Sequence, residues 1–201
     1  MKQLLNEMKS AFSERGYRKA GNSFWKVENG FYKLVNFQKG AYGDYFFVNV
    51  GLHPIGLPSF ITGKLEVKER PKEYECILRH RIEEIVPINT FKKALVPVDC
   101  PEISQEIILN LPQIEKWLMD WSSFEVLANA EFEILSKMMT TVVPILWEKA
   151  YWMLKYYCMV KMGALLTAKE YLKEYFERNQ GMDFGPVDRY LTDMLTSNLT
   201  N

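Results

Sequence analysis

Five side chains make up the chain's most suggestive chemical set: Asn36, Gln38 and Asn49, with Arg79 and Arg81 further on. Residues 31–53 read FYKLVNFQKGAYGDYFFVNVGLH, two apolar-rich runs flanking Gly40, Gly43 and Asp44. That is the pattern of a β-hairpin with a longer loop. Strand alternation puts Val35 and Phe37 on one face and Leu34, Asn36 and Gln38 on the other. In the second run Phe46, Val48, Val50 and Leu52 alternate with Tyr45, Phe47, Asn49, Gly51 and His53. One face can bury fully, while the other carries amides, an imidazole and aromatics. Arg79 and Arg81 join that second face if their segment pairs in register as a third strand. Amides and guanidinium groups bind carboxylate, phosphate or peptide backbone through fixed forks of donors and acceptors, and they are poor general bases. The set points to recognition rather than proton transfer. The plainer alternative is that these side chains satisfy nearby backbone or face water, because antiparallel sheets commonly leave one face polar.

Other reactive residue types are scattered. His53 and His80 are the two histidines, and alternation places them on opposite faces, which disfavours a shared site. Cys76 and His80, four residues apart, would be ~13 Å apart along a strand and would meet only on a helix. No HExxH or CxxC spacing offers a metal site, and no GxxxxGK[ST], GxGxxG or GxSxG offers a cofactor or nucleophile motif. No metal and no cofactor is expected. Whether the chain is an enzyme stays open. Asp44, Glu73, Glu75, Glu83 and Glu84 are carboxylates with no pairing that spacing defends.

Composition narrows the partners. Lys+Arg and Asp+Glu are both 25, so the chain has no basic excess for nucleic acid. Three separated cysteines, Cys76, Cys100 and Cys158, suit reduced thiols in a cytosol. The start, MKQLLNEMKSAF, has no uninterrupted apolar core of a signal peptide. The most apolar run, residues 138–147, falls short of the ~20 residues that span a bilayer. A cytoplasmic protein without membrane or nucleic-acid partners is the expectation.

The elements that must position the set follow from periodicity. Leu4, Leu5, Met8 and Phe12 recur at helical spacing, with Gly16 at the C-terminal cap, predicting a helix over 2–15. Ser23–Val27 reads as a strand, and Asn29-Gly30 as a tight turn into a strand over 31–39. The charged run LEVKERPKE reads as a solvated connection. Residues 74–85, YECILRHRIEEI, fit either a helix or a strand; the strand is preferred because a lone hairpin is marginal. Pro87, Pro97 and Pro101 punctuate a link, with residues 91–96 as a last edge strand. Helices are expected over 102–109 and 113–121, joined at Pro112, and from a Ser122-x-x-Glu125 capping box towards Met139. Further helices are expected from Pro144 to Met162, from a Thr167-x-x-Glu170 box to Arg178, and from Pro186 to Ser197. The Trp147, Tyr151, Trp152, Tyr156 and Tyr157 helix is apolar nearly all round, which favours a core position over a partner groove.

The motifs GYRKAGNSFWK, LVNFQKG, FFVNVGL and KEYECILRHRI, in that order, resemble a bacterial family known only as a domain of unknown function. The matching positions are Gly16-Tyr17, Gly21-Asn22, Asn36, Gln38-Lys39, Asn49, Gly51, Arg79 and Arg81, within residues 1–85. The resemblance implies a unitary fold for the first half and a bacterial source; it supplies no activity. Strands followed by helices give an α+β class: a helix over a small antiparallel sheet in 1–100, then an all-helical region in 101–201. The leading expectation is a non-catalytic binding protein that masks a protein partner, as bacterial immunity proteins do. The alternative is an enzyme on a phosphorylated or carboxylated small molecule clamped by Arg79 and Arg81. A third is a subunit of a homo-oligomer.

Overall fold

A computed structural model describes residues 1–41, 45–59, 65–86, 96–97, 102–178 and 185–199. Its centre is an antiparallel meander in the order β1-β2-β3-β4-β5: β1 Arg18–Ala20, β2 Ser23–Glu28, β3 Phe31–Lys39, β4 Tyr45–Pro54 and β5 Leu78–Arg81. A two-residue strand, β6 Val96–Pro97, also pairs with β4, against Tyr45 and Phe46. Asn29 and Gly30 both take positive φ, 53° and 82°. Two such residues make the turn whose twist matches the strands on either side, so β2 feeds directly into β3. The register then follows: Asn36 faces Asn49, Leu34 faces Gly51, and Val35 faces Val50. The expected α+β architecture, a helix and small antiparallel sheet followed by a helical half, is what forms.

The inner sheet face buries Phe24, Phe31, Val35, Phe37, Phe46, Val48, Val50, Leu52 and Leu78 in one continuous apolar core. The N-terminal helix is divided at Met8 into α1 Lys2–Glu7 and α2 Lys9–Ser13, and it contributes Leu4, Leu5, Met8 and Phe12. Phe12 stacks on Phe24 with centroids 4.1 Å apart. Gly16, at φ 80°, ends the helix, and the Tyr17 N–H reaches back to the Phe12 carbonyl at 3.1 Å. Only a residue at ease in the left-handed region can make that reversal without strain.

Several helix boundaries differ from expectation. α3 runs unbroken over Ile103–Trp121 with Pro112 inside it, not as two helices. The buried stripe Ile107, Leu111, Ile114 and Leu118 holds the helix against the core and outweighs the single backbone bond that proline deletes. Ser123, not Ser122, caps α4 Phe124–Asn129, its Oγ accepting the Val126 N–H at 3.3 Å. That helix stops at Ala130, and α5 Phe132–Met138 is separate. A 3₁₀ turn at Pro144–Leu146 leads into α6 Trp147–Lys161, which Gly163 ends at φ 74°. α7 Leu165–Arg178 begins before Thr167, so Thr167 is an exposed interior residue and no cap. α8 spans Pro186–Leu199. α6 is core: Trp152, Met153, Leu154, Tyr156, Tyr157, Cys158 and Met159 are all buried.

Residues 74–85 are mostly neither of the two expected forms. A 3₁₀ turn covers Glu73–Glu75, β5 covers four residues, and a second 3₁₀ turn covers Ile82–Glu84. Cys76 precedes the strand and lies on the outer face of the sheet, clustered with Tyr32, Leu34 and Trp25 rather than with Leu78. The cluster needs Gly51, because a Cβ there would sit 2.9 Å from the Cys76 Sγ. Residues 70–77 thus lie across the outer face of β3 and β4. Within the charged run Glu66, Val67, Glu69, Arg70 and Lys72 are exposed, as a solvated connection requires, while Pro71 and, just beyond the run, Glu75 are buried against the sheet. Of the expected edge strand over 91–96, all but Val96 lies outside the described residues.

Candidate functional site

The covered outer face gathers the amides and arginines into one network. β5 pairs with β4 so that Arg81 is opposite Asn49 and Arg79 opposite Gly51, which places both arginines on the amide face. Asn49 is its hub and is fully buried. Its Nδ2 donates to Gln38 Oε1 at 3.1 Å, to Glu73 Oε1 at 3.3 Å and, longest, to Asn36 Oδ1 at 3.4 Å. Its Oδ1 accepts from Arg79 Nη2 at 2.7 Å, a charge-assisted bond of the strong kind. Asn36 Nδ2 passes the chain on to Ser23 Oγ at 2.9 Å on β2. Arg79 also pairs with Glu73 at 3.4 Å.

Arg81 stands apart from this network. Its guanidinium lies 4.0 Å from the Phe47 ring centre. Burial, and then the neighbouring Arg79 charge, lowers its pKa. Two arginine donors, Arg79 Nε and Arg81 Nη1, are buried with no acceptor. Glu83, beside Arg81, has its carboxyl pKa raised by burial. Behind the arginines the loop after α5 braces β5: Thr140 Oγ1 donates to the Arg79 carbonyl at 3.2 Å and Thr141 Oγ1 to the Cys76 carbonyl at 3.2 Å.

Beside the network lies an open groove of about 380 Å³, floored by Ser23, Trp25, Leu34 and Asn36 and walled by Arg70, Lys72 and Tyr74. Trp25 stacks on Tyr32 with centroids 5.5 Å apart, and Arg18 and Arg70 lie 5.8 and 5.7 Å from the Trp25 ring centre. Lys72 lies 5.5 Å from the Tyr74 ring centre.

Residues 8–145 match the family described as a domain of unknown function, DUF4304. The chain belongs to that family. Neither the curated proteins nor the solved structures yield a match. The DUF4304 match extends past the resemblance over 1–85 and takes in Thr140 and Thr141, the residues that brace β5. The groove lies wholly inside the DUF4304 residues. A second cavity of about 530 Å³, bounded by Glu148, Tyr151, Trp152, Tyr171, Glu174 and Arg178 together with the start of α5, lies mostly beyond them. A third cavity of about 350 Å³, lined by Tyr17, Lys26, Lys33, Pro112 and Glu115, also lies within the matched residues.

The sequence set thus comes together, with Asn36, Gln38, Asn49 and Arg79 in contact and Arg81 adjacent. Glu73 and Ser23 complete the network, and Trp25, Tyr32, Arg70 and Lys72 shape the groove. Ser23 and Trp25 were within reach of counting, since the tight turn at Asn29-Gly30 pairs them with Asn36 and Leu34. Arg70 and Glu73 gave no such signal, because an irregular segment carries them across the sheet. Among the described residues no cluster of His, Cys, Asp or Glu is suited to a metal ion, and no helix is long and apolar enough to cross a membrane.

Two reactive residue types on this face, Cys76 and His53, are buried. Cys76 is fully buried, and burial pushes its thiol far above the usual range. His53 is 2% exposed; its Nε2 donates to the Leu57 carbonyl at 2.8 Å, while its Nδ1 accepts the Ile77 N–H at 3.2 Å. One donated and one accepted bond define a neutral imidazole. Burial lowers its pKa from 6.5 to about 4. The unfolded chain therefore takes up the proton at higher pH than the folded one, and stability falls as pH drops from 6.5 towards 4. Between pH 7 and pH 5 the loss is expected to be about 2 kcal/mol. Urea midpoints at the two values measure it, and an acid shift that persists in His53→Gln would assign the effect elsewhere.

Proposed function

We propose that this chain is a non-catalytic binding protein of the bacterial cytoplasm that engages a protein partner through the outer face of its sheet, in the manner of a masking or immunity protein. The observation that supports this most is the groove itself, an open trough with Trp25 on its floor and Tyr74 on its wall. Aromatic side chains supply large contact area at low entropic cost and are enriched where proteins meet. The adjacent network favours the same reading. Arg79 is committed to Asn49 and Glu73, His53 holds a neutral structural tautomer, and the Cys76 thiol is buried. Tyr74 is 40% exposed, so Tyr74→Ala should leave the melting temperature within about a degree, as surface changes do. Capture from the source lysate, with the captured chain identified by mass spectrometry, should fall at least tenfold in Tyr74→Ala and Trp25→Thr. Lys173→Ala, on the exposed face of α7, is the control. Equal capture by all three variants rejects the outer face.

A second reading rests on the two arginine donors that have no acceptor, Arg79 Nε and Arg81 Nη1. A small phosphorylated or carboxylated substrate could occupy them. Inorganic phosphate should then raise the melting temperature of the parent and not of Arg81→Met. A parent indifferent to phosphate removes this reading.

A further inference from the structure

The chain is neutral overall, with 25 basic and 25 acidic side chains, yet the groove is not. Arg70 and Lys72 line it, and Arg18 faces the Trp25 ring. The carboxylate that lines it, Glu73, is engaged by Arg79 and Asn49. Among the described residues, Arg18, Arg70 and Lys72 have no carboxylate within ion-pair distance, although the neighbouring Lys68 pairs with both Glu66 and Glu75. Three cations that make no ion pair therefore surround one aromatic floor, Lys72 being held by Tyr74 and drawn by the Glu75 charge.

Their geometry says what they can bind. A guanidinium laid over an indole face is held in place by the ring quadrupole, and its N–H groups lie in its own plane, free to donate at the edges. Such an edge matches a carboxylate in bidentate fashion. The same stacking argues against single-stranded nucleic acid, which needs open aromatic faces for its bases. Here Arg18 and Arg70 lie within 5.8 Å of the Trp25 ring centre and Tyr32 stacks on it, which leaves little open ring for a base. Shape adds a further limit. The groove crosses β1, β2 and β3, from Ala20 through Ser23 and Trp25 to Asn36, and is open, whereas small-ligand pockets enclose most of their ligand. At its floor the Ser23 hydroxyl and the Asn36 amide can bond an extended backbone.

We propose that the groove receives an acidic, extended segment of the partner protein, with Asp or Glu side chains on Arg18, Arg70 and Lys72. This rests on the outer face being the binding surface. The test is selection from an unbiased displayed peptide library on the full chain. Enriched peptides should carry an excess of Asp and Glu. A representative, synthesised and titrated by fluorescence anisotropy, should bind at least tenfold more weakly to Arg70→Glu/Lys72→Glu and more weakly as salt rises, with partial retention in Arg70→Lys. Arg70 and Lys72 are exposed, so the charge-reversed variant should keep the parental circular dichroism spectrum. Neutral or basic peptides that still depend on Trp25 would overturn the acidic segment and leave the binding face standing. Displacement of the peptide by a thymidine oligonucleotide would overturn the peptide class. No enrichment, or binding that ignores every outer-face variant, would remove the binding face itself.

Discussion

Trp152→Ala should destabilise the protein by about 3–5 kcal/mol, the usual range for emptying a large aromatic site in a core. The indole is 5% exposed and sits among rings, with centroids 4.1 Å from Tyr171 and 5.7 Å from Tyr175. Arg178 covers it at 5.6 Å. Those neighbours lie on a different helix, so the cavity would loosen α7 from α6 as well as remove area. For a chain of this size the melting temperature should fall by roughly 10 °C. Trp152→Phe, which keeps a ring for Tyr171 to pack on, should lose less than half as much. A Trp152→Ala protein with parental stability that no longer self-associates in a sizing experiment would make α6 an interface helix instead.

Periodicity reached this helix and missed its neighbours' ends for a common reason. Where a long run is buried, as in α6 or β3, its apolar content is imposed by the core and is visible in one sequence. Helix ends answer to weaker local terms. Ser122 and Ser123 are both competent caps, and the choice depends on where α3 ends, with the Ser122 hydroxyl donating to the Met119 carbonyl at 3.2 Å instead. Pro112 signals a break in isolation, yet the apolar face of α3 carries the helix through it. The candidate site shows the same division. Asn36, Gln38, Asn49, Arg79 and Arg81 share a face by parity, which the sequence displays. Whether that face is wet depends on the segment around Pro71 and Glu75 folding back over it, an irregular path with no period to read.

That cover decides how the amides respond to substitution, and Asn49 is the sharpest case. Asn49→Thr keeps a strand-compatible side chain but removes the amide that joins Gln38, Glu73 and Arg79. Arg79 Nη2 would lose its 2.7 Å acceptor in a buried setting and keep only the longer 3.4 Å contact to Glu73. Unsatisfied buried polar groups cost ~1–3 kcal/mol each, more when charged, so about 3 kcal/mol is expected here. Gln38 provides the contrast. It is exposed and gives Asn49 only one acceptor, so Gln38→Thr should cost less than about 1 kcal/mol. A double-mutant cycle between Asn49→Thr and Arg79→Met separates the bond from the general damage. The two changes should be less than additive by 1 kcal/mol or more, because removing the guanidinium removes the donor that Asn49→Thr leaves stranded. Additive losses would mean that Asn49 and Arg79 act independently. If Asn49→Thr instead melted like the parent and lost partner capture, the amide would be a contact residue and not the structural hub beneath the groove.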